Sequence, residues 1–315
     1  MKKTLHLTLE EIDIAAALLK KGKLVAFPTE TVYGLAAPIF NPEAILSIFK
    51  AKGRPSDNPL IAHISSLAQV AQIAINIPDL FYVLAEAFFP GPLTVVLEKH
   101  PNVPSVVSAG LNTIAFRMPN HKGALFLINA VGEPLVAPSA NLSGKPSSTE
   151  ASHVLQDFEG KIAAVIDGGQ TQYGIESTVI SLLGDVPVLL RPGIVSVEAI
   201  EQVIGIPLKI ASGNSQGPVH SPGMKYRHYA PATPIKLFLD EGDLSLYLEK
   251  NASRRCMLLK RGGAYDLLPK NLYGFLRLAD EERFDEILIY CDEEILRDAA
   301  LMNRISRAAL VYSSH

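Results

Sequence analysis

The chain reads as an α/β protein in two parts, and three observations carry that reading. Short apolar runs of strand length alternate with stretches of helical periodicity. The alternation restarts after an interruption at 211–220 rich in Ser, Gly, Asn, Gln and Pro. The 315 residues, 48% of them apolar and 19% charged, suffice for a sizeable core and a second, smaller unit.

The elements follow in order. Thr8 and Glu11 form a capping box, Leu9, Ile12, Ala16 and Leu19 then recur at helical spacing, and Gly22 ends the helix. Residues 24–27 predict a short buried strand, and similar runs predict strands at 60–64, 93–97, 114–117, 163–166, 177–180 and 188–190. After Pro231 the pattern resumes with strands at 235–239, 256–259, 275–278 and 287–290. One long helix carrying Ile295, Ala299, Met302, Ile305 and Ala309 closes the chain. No GxGxxG follows the strand at 235–239, so no dinucleotide is assigned to the second unit.

Composition narrows the function. A net charge of −3 argues against a protein whose main task is gripping a nucleic-acid backbone, while leaving room for a local basic pocket. Cys256 and Cys291 stand apart and form no CxxC pair, which points to reduced thiols rather than a disulfide framework or a zinc site. Glu10, Glu11 and Asp13 interrupt any signal-peptide core, and no apolar run approaches the roughly 20 residues of a membrane helix. A cytoplasmic protein without membrane association is the expectation.

The familiar catalytic signatures GxxxxGK[ST], HExxH and GxSxG are absent. Short polar motifs at strand ends and turns remain, where scaffolded sites tend to lie. Thr29, Glu30 and Thr31 follow the first buried strand; a hydroxyl-rich turn is the plain reading, a hold on a small polar ligand the functional one. Lys50, Lys52 and Arg54 sit where a helix gives way to a Gly/Pro-broken loop. They suit either a solvated helix C-terminus or a grip on phosphate. Arg117 ends an apolar strand, and the run 137–144 carries Ser139, Asn141 and Ser143 among residues small enough for close backbone approach. Glu176, Ser177 and Thr178 pair with Arg191, Pro192 and Gly193 as a fifth motif. The sixth, 221–231, mixes Lys225 and Arg227 with Tyr226, His228 and Tyr229 between Pro222 and Pro231. Each motif alone is unspecific.

In this order and spacing the motifs resemble the YrdC/Sua5 family of threonylcarbamoyl-AMP synthases over essentially the whole chain. The first motifs resemble the YrdC domain; the segment 221–231 and the C-terminal α/β unit resemble the longer Sua5 form. The resemblance implies a YrdC-like twisted mixed sheet around a large, positively charged cavity over 1–210. It further implies a linker and lid over 211–231 and a small Rossmann-like α/β domain over 232–315. The implied reaction joins L-threonine, bicarbonate and ATP into threonylcarbamoyl-AMP and pyrophosphate, supplying a tRNA modification.

By the same resemblance, Lys52, Arg54, Ser139 and Asn141 surround the reacting phosphates. Thr31, His63, Arg117, Ala137 and Ser177 hold threonine. Asn58, Thr113, Ser147, Arg191, Tyr226 and His228 join Arg54 and Ser139 on ATP. Mg²⁺ is implied with the phosphates, its ligands mostly phosphate and water rather than protein. A downstream threonylcarbamoyl transferase complex is the implied recipient, and stable tRNA binding is not expected. Two rival readings are weaker. An RNA-binding module with a YrdC-like basic cavity conflicts with the acidic net charge. A carbamoyltransferase-type enzyme would bring zinc-finger-like cysteines that this chain lacks.

Overall fold

The structure, a computed structural model, describes residues 3–211 and 229–309. Among these, twelve short strands form one mixed sheet. Its first half runs, in spatial order, Leu5–Leu7, Ala164–Ile166, Val25–Phe27, Gly34–Pro38, Leu135–Val136 and Ile61–His63. Thr113–Arg117, Leu93–Lys99, Thr178–Ser181, Val188–Arg191 and Lys209–Ile210 continue it, with Ala74–Ile75 beside Leu93–Lys99. Parallel pairs such as Ile61–His63 with Thr113–Arg117 alternate with antiparallel ones such as Val25–Phe27 with Gly34–Pro38. The middle strands are apolar on both faces: Leu93, Val95, Val96, Ile114 and Phe116 are all buried.

Helix Pro42–Lys52 shows how local sequence serves the site. Asn41 caps it by accepting from the Ala44 N–H, Pro42 opens the first turn, and Ile45, Ile48 and Phe49 face the core. Gly53, at φ 60°, stops it in the left-handed region and turns the chain so that Arg54 leaves the helix end. The Thr8–Glu11 capping box is formed, the Thr8 N–H donating to Glu11 at 2.9 Å. Its first turn, Leu9–Glu11, is a 3-10 turn, and the α-helix proper is Ile12–Lys20.

The second sheet, Ile235–Phe238, Glu286–Tyr290, Cys256–Lys260 and Tyr265–Asp266, is parallel throughout. Two expectations need correction here. Residues 275–278 are not a strand but part of helix Pro269–Glu281, whose buried Leu272, Leu276 and Ala279 recur at helical spacing. A window of four apolar-rich residues is too short to separate the two periods. The long closing helix is two helices, Glu293–Arg297 and Ala299–Ala309. Between them Asp298 leaves helical geometry (φ −77°, ψ 89°) and its carboxylate accepts from the Leu301 N–H at 2.9 Å, starting the next helix.

The two units share packing. Val32 and Ile175 of the first lie in one apolar cluster with Leu272, Tyr273 and Ile305 of the second. Arg277 reaches across to Asp157 at 2.8 Å and to the Pro146 carbonyl at 2.7 Å. Gly174, at φ +71°, abuts Lys270 so closely that a Cβ there would stand 2.4 Å from the Lys270 Cα.

Candidate functional site

A cleft opens where the parallel strands Ile61–His63 and Thr113–Arg117 end side by side, His63 opposite Arg117. The loop after Val25–Phe27 brings Thr29, Glu30 and Thr31 to the same place. Arg117, buried, donates Nε–H to His63 Nε2 at 3.1 Å, Nη1 to Glu30 at 2.6 Å, and Nη2 to Thr29 and Thr31 at 3.0 and 2.8 Å. A guanidinium has five N–H groups, so these four bonds leave one N–H on Nη1 unused. Burial and the adjacent Arg117 charge hold His63 well below the usual histidine pKa, so it is neutral. Its Nδ1 is buried and has no protein partner.

The second wall is the run 137–149. Ser139 Oγ donates to Asn141 Oδ1 at 2.5 Å, and Asn141 Nδ2 donates to the Leu142 and Lys145 carbonyls. Lys52, also buried, donates its Nζ to the Ser139 and Asn141 carbonyls at 2.5 Å each. Burial and then the Arg54 charge lower its pKa well below the ordinary lysine value. Arg54 lines the cleft from its own loop: Nη2 donates to the Asn58 and Pro59 carbonyls at 3.4 and 3.2 Å, and Nε is without a partner. Burial brings its pKa to about 10, still cationic at neutral pH.

On the third side, Arg191 donates Nε and Nη2 to the Ser177 carbonyl and Nη2 to Ser177 Oγ, which is also 2.7 Å from Thr94 Oγ1. Gly193 permits this: a Cβ there would be 2.3 Å from the Thr178 backbone nitrogen. Glu176 lies in the same wall and accepts from Ser147, Tyr273 and Arg304. Tyr229, packed in the apolar cluster of the second unit, lines the cleft with its ring 5.3 Å from that of Tyr273, while the Ala230 N–H is tied to the Gly144 carbonyl.

Of the site residues named from sequence, Thr31, Arg54, His63, Arg117, Ala137, Ser139, Ser177 and Arg191 line the cleft. Lys52 and Asn141 stand behind Ser139, and Ser147 behind Glu176. Asn58 is buried, offering its carbonyl to Arg54. Thr113 begins the strand that Arg117 ends, roughly 13 Å away at strand rise. Tyr226 and His228 lie outside the described residues. Glu30, Glu176 and Tyr229 belong to the cleft or its supports, although nothing in the sequence singles them out individually. For Glu30 and Glu176 the available signal is a carboxylate inside an otherwise hydroxyl-rich motif.

Similarity to known proteins bears on both units. Residues 17–193 match the Sua5/YciO/YrdC profile described as "Telomere recombination", and residues 195–310 match that of the threonylcarbamoyl-AMP synthase C-terminal domain. The threonylcarbamoyl-AMP synthase of Pyrococcus abyssi is 44% identical over 95% of this chain and 94% of its own. The chain belongs to the Sua5/YciO/YrdC family. Its Bacillus subtilis relative of the same name is 43% identical over 95% of this chain and 93% of its own. The P. abyssi Sua5 structure complexed with L-threonine superposes with a TM-score of 0.89 at 42% identity, covering 98% of each chain. The Sua5/YciO/YrdC match contains every cleft residue from Thr31 to Arg191, and the C-terminal match contains Tyr229, Tyr273 and Arg304.

Proposed function

We propose that this chain is a threonylcarbamoyl-AMP synthase, a nucleotidyltransferase acting in tRNA modification. One observation supports the chemistry most directly. The cleft gathers Arg54, Arg117 and Arg191 with neutral His63 and several hydroxyls, without a nucleophile paired to a base among its described residues. Such a site aligns reactants and neutralises charge rather than forming a covalent intermediate.

The reaction balances without a protein nucleophile. Threonine ammonium and bicarbonate give the N-carboxylate, one water and one proton. A carboxylate oxygen then bonds to the α-phosphorus of ATP as the bond to pyrophosphate breaks. In this proposal the remaining Arg117 N–H and the His63 Nδ1–H receive threonine beside Thr31, Ala137 and Ser177. Arg54, Ser139 and Arg191 face ATP. Lys52, Asn141, Asn58, Thr113 and Ser147 act from behind, and Tyr226 and His228 from the lid.

Mg²⁺ belongs to this reading only as a companion of the ATP phosphates. Glu176 accepts from three side-chain donors, while Glu30 is paired with Arg117 through Oε1 and keeps a buried Oε2 without a partner; no step is routed through the metal. No helix among the described residues is long and apolar enough to cross a membrane. A cytoplasmic location, the division at 211–231 into catalytic unit, lid and C-terminal unit, and transfer of product to a downstream transferase complex complete the proposal. The test is pyrophosphate release with threonine, bicarbonate and ATP, each omitted in turn. Release that needs all three is expected, and equal release without bicarbonate would overturn the assignment.

A further inference from the structure

Glu176 sets a problem for a cleft that receives a triphosphate. It is a buried carboxylate next to Ser177 in the wall of a cleft that Arg54 also lines. Left uncompensated, it would oppose ATP or take up a proton. The first unit offers it the Ser147 hydroxyl at 2.6 Å and the nearby charge of Arg191, whose Nε and Nη2 are hydrogen-bonded to Ser177 rather than to the carboxylate. The remaining side-chain donors come from the second unit. Tyr273 donates its hydroxyl to Oε2 at 2.9 Å, and Arg304 donates Nε to Oε2 and Nη2 to the Glu176 carbonyl, both at 3.1 Å.

Arg304 is fully buried, on a helix whose apolar neighbours Ala300, Leu301, Ile305 and Ala308 are buried with it. A charge on that stripe is costly unless paired, and the partner found is in the other unit. Burial pushes the Glu176 carboxyl up, but Arg304 and Arg191 more than offset it and hold it at about 2. Arg304 also donates Nη1 to the Pro192 carbonyl at 2.5 Å, inside the motif that carries Arg191.

We propose that Arg304 is a positioning residue for the nucleotide site. From the C-terminal unit it neutralises Glu176, so that the cleft wall accepts the ATP phosphates and Ser147 and Ser177 keep their places. The C-terminal unit thereby belongs to the electrostatics of the cleft rather than being an appendage to it. The inference rests on the synthase reading only in taking ATP as the ligand.

The experiment uses the full-length protein with R304M, R304K and R304M/E176Q, each first shown to be folded by circular dichroism. Affinities for ATP and adenosine are measured at equilibrium without threonine or bicarbonate, and KM for ATP and kcat by pyrophosphate release. R304M should weaken ATP at least tenfold and adenosine far less, mainly through KM. R304K and the charge-balanced R304M/E176Q should return ATP affinity to within threefold of wild type. A purely structural role would weaken ATP and adenosine alike and gain nothing from the second substitution; that pattern, or R304M within twofold of wild type, overturns the proposal. If R304M does not fold, R304M/E176Q decides alone, a more than tenfold loss of ATP affinity counting against it. A wild type that binds ATP with this variant pattern yet releases no pyrophosphate would defeat the synthase reading and leave the role of Arg304 standing.

Discussion

The Nε–H of Arg117 points at Nε2 of His63 across 3.1 Å, and that bond decides where the imidazole carries its proton. An arginine Nε can only donate, so Nε2 accepts and the hydrogen resides on Nδ1, the nitrogen without a protein partner. His63 is thus a neutral imidazole in the cleft lining with a buried Nδ1–H.

Acid should destabilise the protein through its histidines. His63, His121 and His153 all sit below the ordinary histidine value because burial disfavours the cation, His153 at about 4. Below a pH of about 6.5 the unfolded chain binds protons that the native state refuses. Their contribution to stability is therefore complete above that pH and falls as acid is added toward about 4. Urea midpoints measured from pH 8 to 5 should decline, and H153Q should flatten the decline. An unchanged slope in H153Q would refute the assignment for His153.

Removing Arg117 alone should cost more than removing its ion pair. R117M leaves Glu30 as a buried carboxylate without its cation, at a cost of about 3–5 kcal/mol. R117M/E30Q should recover much of that in urea unfolding. Both variants should still show a raised KM for threonine and little change in KM for ATP. Equal stability of the single and double variants would contradict this account.

Lys52 and Arg54, two residues apart, should behave differently. K52A removes a donor shared by the Ser139 and Asn141 carbonyls, so stability should fall by about 2–3 kcal/mol together with turnover. R54A removes a cleft cation whose Nε is unpaired and whose carbonyl bonds are long, 3.2 and 3.4 Å, so kcat should drop roughly 100–1000-fold while the urea midpoint falls less than in K52A. Identical profiles for the two variants would refute the distinction.

Gly174 should govern docking of the two units. G174A meets both a left-handed backbone and the Lys270 backbone at 2.4 Å. Two separated thermal transitions and faster proteolytic separation of the two units are expected. A single transition at the wild-type temperature would show that the interface adapts.

Much of this is legible in sequence because it is periodic or capped. The strands near 25, 61, 93, 114, 164, 178 and 188 emerge where apolar runs predict them. Strands Gly34–Pro38 and Leu135–Val136 give no such signal: one is built of small residues, the other is two residues long, and both owe their pairing to neighbours. The motifs supply seven of the eight cleft-lining candidates; the eighth, His63, lies on a plain apolar strand and comes only from the family resemblance. They do not separate Lys52 from Arg54, since which cation faces ligand depends on carbonyls some 87 residues away. Arg304 escapes notice for a similar reason. A charge spaced with Ala300, Leu301 and Ala308 is the visible sign, but its partner Glu176 is 128 residues distant.

Among the described residues Leu5–Leu7 pairs only with Ala164–Ile166, so the first strand of the chain waits for 156 intervening residues before it has a neighbour. Leu93–Lys99 likewise lacks one flank until Thr178–Ser181 exists. A nascent chain therefore carries open apolar strand edges through most of the synthesis of its first unit, when such edges pair with the wrong molecule. Spontaneous refolding should be slow and its yield should drop as protein concentration rises, which dilution series would read directly. In the cell this sheet is the kind of client that a chaperone shelters.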